Sequence, residues 1–273
     1  MRSEKSVSNE PVTFWDHLDA LRSVLIRIAV VTLAFGVLAF CFKEPLFAVV
    51  LGPQDGDFIT YQLFSRVEVW FASLVGSNLT ETASDFHVSL INTELAQQFI
   101  IHMKVAFFAG LIAASPYVIY QIFRFVSPAL YENERKYAVH LVGGSYVMFM
   151  IGVLFSYFII FPFTFRFLGT YQVADFVENT ITLDSYISTL VALTLVLGVI
   201  FEMPVMSWIL AKMRLLKHTY MTRYRKHVIV GILILAAIIT PTSDAFTLML
   251  VAIPMWMLYE LSILIVKVTN KEE

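Results

Sequence analysis

The chain has 273 residues, of which 58% are hydrophobic and 15% charged, with a mean hydropathy of +0.75. A soluble domain carries about 25% charged residues, so a water-soluble core is excluded as the main architecture. The net charge of −2 gives no global bias toward nucleic acid, and the single Cys41 excludes an intrachain disulfide and any cysteine metal cluster.

In chain order, residues 1–11 are polar and carry no periodic signal. Phe14, Leu18 and Leu21 then share one helical face at i, i+4 and i+7, with aromatics suited to a membrane interface. Residues 24–42 form a first apolar span of bilayer length, with Arg27 near enough to its start to snorkel back to water. No small-residue cleavage site follows, so an uncleaved anchor is expected. Residues 43–98 form an outer loop with a turn at Gly52-Pro53 and Gly56. It is expected to be an ordered cap of short helices or strands that periodicity does not assign.

The second span is expected at 99–123, with His102 and Lys104 near its start and Pro116 near its end. A third, at 137–161, is expected to close at Pro162, and a second outer loop to occupy 164–185. The fourth span, 186–210, contains Glu202-Met203-Pro204, and a basic loop is expected at 212–226. Residues 228–239 form a short fifth span, 240–245 a tight connection and 246–266 a sixth span. The whole reads as one all-α integral membrane domain of six transmembrane helices.

Orientation follows from the cations. Arg2, Lys5, Arg22 and Arg27, then Arg124, Arg135 and Lys136, then the cluster from Lys212 to Lys226, then Lys267 and Lys271, all fall on one side. The other side has only Lys43, Arg66 and Arg166. The positive-inside rule predicts that both termini are cytoplasmic, in a multi-pass protein of the plasma membrane.

Four places depart from a plain helical anchor. The polar connection RFVSPALYENER, residues 124–135, sets two glutamates among Phe125, Tyr131 and the stiffening Pro128. Glu132 and Glu134 either balance Arg135 and Lys136 on a solvated loop or form a site where a carboxylate takes a guanidinium bidentately. Glu202, deep in the fourth span, is costly there unless paired or wetted. It is either functional or a protonated glutamate bonded to a neighbouring helix beside a Pro204 kink. Residues 228–239 would reach about 18 Å as a helix against a hydrocarbon core of ~30 Å, a mismatch relieved by bilayer thinning or partner helices. Asp244 and Thr240 flank Pro241, and an Asp in such a turn is normally a local cap. No nucleophile elbow, phosphate loop, metal motif or paired catalytic carboxylates occur, so neither an enzyme nor a cofactor is expected.

The chain resembles the TatC family of the twin-arginine protein translocase. The resemblance is carried by HLDALR at 17–22, SPYVIYQIFRFVSPALYENER at 115–135, FEMPV at 201–205, ITPTSDAF at 239–246 and AIPMWMLYELSI at 252–263. It implies a cup-like fold of six helices and binding of twin-arginine signal peptides on folded precursors. It further implies self-association, assembly with the single-span subunits TatA and TatB, and transport driven by the proton-motive force. By position it implies signal-peptide binding by Glu134, Asp19, Phe125, Arg22, Pro116 and Tyr131, and a functional intramembrane role for Glu202. Thr240, Pro241, Asp244 and Met249 would lie on the edge where partners dock.

The chain departs from the family pattern in three places. Ala20 stands where a Glu usually precedes the Leu-Arg pair, with Asp19 one place earlier; the turn before the last span is one residue longer; and Leu248 replaces a frequent glutamine. The alternative from another class is a proton- or ion-coupled secondary transporter using Glu202. It lacks the inverted repeat and the further deep carboxylates common in such proteins.

Overall fold

The computed structural model describes residues 14–66, 89–126, 138–171, 180–240 and 244–270. Helix α1 (Phe14–Cys41) runs unbroken from the amphipathic start through the first span, because nothing before Gly36 interrupts it. The segment after α1 then folds as α2 (Lys43–Leu51), a 3-10 turn (Gly52–Gln54) and α3 (59–66), and resumes at β1 (Leu90–Ile91). Helix α4 (Gln97–Val126) continues through Pro116.

Helix α5 (Ala138–Phe155) passes through a π-helical turn (Ser156–Ile160) into α6 (Phe161–Thr170). The expectation that Pro162 ends this helix is therefore corrected. Proline strips the i−4 carbonyl, here that of Phe158, of its amide donor. The π turn absorbs the mismatch, and the hydroxyl of Thr60 on α3 donates to that Phe158 carbonyl instead. The second outer connection is correspondingly shorter than 164–185, since helix extends to Thr170 and β2 (Ile181–Thr182) precedes α7 (Leu183–Ile200). Strand β2 pairs in parallel with β1, Leu90 opposite Ile181, and ties the segment before α4 to the one before α7.

The expected fourth span divides into α7 and α8 (Met203–Lys212) at a turn over Phe201 and Glu202. Pro204 has no amide for the Ile200 carbonyl, so the ladder breaks just ahead of it. Helix α9 (His218–Ile239) begins inside what was expected to be the basic loop: with no Gly or Pro between His218 and His227, the polar residues simply extend the helix. Asp244 caps α10 (Ala245–Thr269), its carboxylate accepting from the Thr247 amide at 2.7 Å.

Among the described residues, five segments are long and apolar enough to cross a membrane: Leu18–Cys41, Gln97–Phe125, Leu141–Thr170, Leu183–Lys212 and Ala245–Thr269. The apolar part of α9, from Val228 on, is much shorter. Helix α7 lies at the centre. Ile187, Leu190, Leu193 and Leu197 follow its helical period and are at most 1% exposed. Ile101 and Val105 of α4, Ile160 and Phe161, and Val251 and Met255 of α10 complete that core. Backbones come closest where side chains are smallest. A Cβ on Gly152 of α5 would lie 2.8 Å from the Leu197 carbonyl, and one on Gly110 of α4 would lie 2.4 Å from the Gly36 nitrogen of α1.

The end of the molecule bearing α2 and α3 is closed by tyrosine hydroxyls that donate to backbone carbonyls of α2, the 3-10 turn and α6. Tyr61 donates to Pro53 and Pro162 at 3.1 Å each, and Tyr186 to Val50 at 3.1 Å. Tyr157 donates to the carbonyl of Val49. Burial pushes the Tyr61 phenol well above its ordinary pKa, only partly opposed by the nearby Arg166 guanidinium, so it remains a protonated donor.

Candidate functional site

The candidate recognition site lies at the end of the molecule opposite this closure, where α1 begins and α4 ends. The two helices run antiparallel with their closest approach at Gly36 and Gly110, and Phe40 stacks on His102 with centroids 4.0 Å apart toward the end where α2 follows. Counted from that approach, Arg22 and Arg124 are equally far along their helices. Asp19 and Phe125 therefore sit at the same end of the pair. Asp19, Arg22 and Arg124 are exposed and Phe125 is half-buried in the last turn of α4. Trp15, 73% exposed, extends α1 beyond them as an interfacial aromatic would. Pro116 is exposed inside α4, about two turns before Phe125. Glu134 and Tyr131 lie outside the described residues.

Glu202 occupies the break between α7 and α8. Its carboxylate does not cap α8 but accepts from the hydroxyl of Ser145 on α5 through Oε2. Oε1 is buried without a hydrogen-bond partner. An apolar groove of about 360 Å³ opens between α5, α8 and α10, lined by Gly144, Met148, Pro204, Trp208 and Leu261 among others, and not by Ser145 or Glu202 themselves.

Of the expected partner-docking residues, two have local work. Thr240 is buried and donates to the Ala236 carbonyl at 3.0 Å, and Asp244 is the cap of α10. Met249 is 49% exposed, in line with Trp256 and Ile253 on the outer surface of α10. Pro241 lies outside the described residues.

A family model for the Sec-independent protein translocase protein TatC matches residues 16–254. The chain belongs to the TatC family. It is 33% identical to the TatC of Blattabacterium sp. subsp. Periplaneta americana across all of both chains. It is 35% identical to that of Deinococcus radiodurans, over 93% of this chain and 85% of the relative. A crystal structure of the twin-arginine translocase receptor TatC superposes with a TM-score of 0.73 at 31% identity, covering 93% of this chain and 99% of the other. This TatC-family chain is thus an all-α membrane protein and a component of a protein translocase, not a member of a known enzyme family.

Several contacts of this TatC-family member were not foreseen from its sequence. Ser145 as the partner of Glu202 had one available signal, a small polar residue after Gly143-Gly144 inside a span. Lys104 reaches Asp184 at 2.8 Å and Ser188 at 2.9 Å, joining α4 to the start of α7. Glu260 of α10 pairs with Arg225 of α9 at 2.8 Å. None of these pairs is local in sequence.

Proposed function

We propose that this chain is the receptor subunit of a twin-arginine translocase, taking the twin-arginine signal peptides of folded precursors at the end where α1 starts and α4 stops. The observation that carries this reading is the near full-length likeness to the solved twin-arginine translocase receptor. It is supported by the meeting of Asp19, Arg22 and Phe125 at one exposed end of the α1–α4 pair. In this reading the chain is a single six-span domain of the inner membrane with both termini cytoplasmic, α9 being the short fifth span. Glu134 and Asp19 accept the guanidinium groups of the signal, while Phe125, Tyr131, Arg22 and Pro116 shape and support the site. TatA- and TatB-type single-span subunits dock near Met249 and the turn from Thr240 through Pro241 to Asp244. Their assembly, including self-association of this chain, leads to transport driven by the proton-motive force. Membership of the translocase family argues against the secondary-transporter alternative.

Photo-crosslinking of a twin-arginine peptide to probes at Asp19, Phe125 and Glu134 tests the site. Glu134→Ala should weaken peptide binding by about 1–3 kcal/mol, the scale of a lost hydrogen bond to a charged group, with insertion intact. Undiminished crosslinking in that variant would rule out Glu134 as the acceptor.

A further inference from the structure

The side of α4 that meets α1 carries more than the close approach at Gly110. Ala114, Tyr117 and Gln121 follow Gly110 at i+4, i+7 and i+11, a spacing that keeps all four on one face of the helix. The first two are small and let the backbones approach. The last carries an amide. Gln121 is only 3% exposed. Its Nε2 donates to the Tyr117 hydroxyl at 2.6 Å, while its Oε1 is buried with no hydrogen-bond partner. Counted from the Gly36–Gly110 approach, Gln121 lies level with Leu25 of α1, an apolar residue with no donor to give it.

A sealed amide oxygen without a donor is unfavourable, because water has been stripped from it and nothing replaces that bond. Most buried acceptors find a partner within the fold. This one lies a single turn before Phe125, at the end of the α1–α4 pair where Asp19, Arg22 and Phe125 meet. The helix that covers it is also the least firmly held of the five spans. Only 11% of the first span is buried, against 39% or more for each of the other four, and α1 packs chiefly on α4. The first turns of α1 can therefore part from α4 without disturbing the core around α7.

We propose that Gln121 is a further signal-binding residue, its Oε1 accepting an N–H of a signal-peptide arginine when the first turns of α1 part from α4. The inference rests on the reading of this end as the twin-arginine site. A guanidinium has five N–H donors, of which a bidentate carboxylate takes two. The others still need acceptors as the group leaves water, and a neutral amide oxygen supplies one without adding a charge inside the Gln97–Phe125 span. An ammonium has three donors and no planar fork, so it gains less from such an acceptor. The unpaired oxygen is thus a penalty of the unliganded molecule that the arginine removes.

The test measures binding of a twin-arginine peptide and its twin-lysine counterpart to the full chain in detergent, beside thermal stability. Q121M keeps the bulk of the side chain and removes the amide. It should weaken binding of the arginine peptide about tenfold and that of the lysine peptide by less. Y117F/Q121M removes the Tyr117–Gln121 bond from both sides and leaves no buried polar group behind. It should be at least as stable as the unmodified protein while binding the arginine peptide as weakly as Q121M, and it supplies the affinity comparison should Q121M not fold. Undiminished binding of the arginine peptide by either variant overturns the proposal and leaves the twin-arginine reading standing. So does a loss shared equally by the two peptides, or a double variant less stable than the unmodified protein, since either result makes Gln121 a structural residue. If the unmodified protein shows no preference for the twin-arginine peptide, the reading of this end fails and the proposal with it.

Discussion

The first span and the Leu183–Lys212 span invite comparison because composition makes them alike and the fold treats them oppositely. The first is the most apolar of the five, with a mean hydropathy of 2.5 against 2.1, yet only 11% of it is buried by protein against 44%. In water that ordering would be perverse. In a bilayer, lipid and protein interior are equally apolar, so greasiness qualifies a helix for the membrane without saying which neighbour it meets. Helix α7 is covered by α4, α5, α6 and α9, whereas α1 packs chiefly on α4 and leaves Leu25, Ile26, Val30, Leu33 and Val37 outward. The exposed helix carries the proposed signal-binding residues at its free end, while the covered one anchors the closure at the other.

The largest expected effect breaks the attachment of α1. Gly110→Leu forces a side chain into the Gly36 backbone and should destabilise the protein by about 3 kcal/mol, the upper part of the overpacking range, read as a fall in thermal stability in detergent. Gly36→Ala is the control, because its Cβ would meet nothing nearer than 3.6 Å. It should be neutral or slightly stabilising through better helix propensity. Equal damage from both would mean that α1 is not held by this close approach.

Next comes the covered end. Tyr61→Phe removes the donor shared by the Pro53 and Pro162 carbonyls and should cost about 1–3 kcal/mol, with amide hydrogen exchange rising at the ends of α2 and α6. Unaltered exchange there would show that the closure does not depend on this phenol.

A smaller effect is expected between these ends. Glu202→Leu leaves the Ser145 hydroxyl without its acceptor and should cost about 0.6–1.7 kcal/mol, the range for a hydrogen bond between membrane helices. Transport of a folded reporter precursor should fall with it, whereas Glu202→Gln retains the bond and should affect transport less. If Glu202→Leu transports at the unmodified rate with its partner subunits bound, the carboxylate is a packing residue. The smallest effect is that of Glu260→Gln: the Arg225–Glu260 pair has side chains 45% and 27% exposed, so a loss of roughly 0.2–1 kcal/mol is expected. A thermal-stability loss above that range would mark the pair as part of a larger network.

Sequence alone determined that this is a membrane protein of apolar helices with one strongly cationic side. Bilayer length and charge asymmetry are one-dimensional properties, readable without knowing a single contact. It also marked Glu202 as anomalous, since a carboxylate within a span is conspicuous whatever surrounds it, and Asp244 as a cap, since capping acts over three residues. Tertiary structure decided the rest. That Pro162 would not end its helix depended on Thr60, far away in sequence, being present to satisfy the Phe158 carbonyl. That Glu202 would find Ser145, and that Lys104 would find Asp184, depended on which helix faces meet. Among helices that lipid and protein solvate equally well, those meetings are settled by close packing of small residues and by hydrogen bonds to distant groups, and neither leaves a periodic trace in the chain.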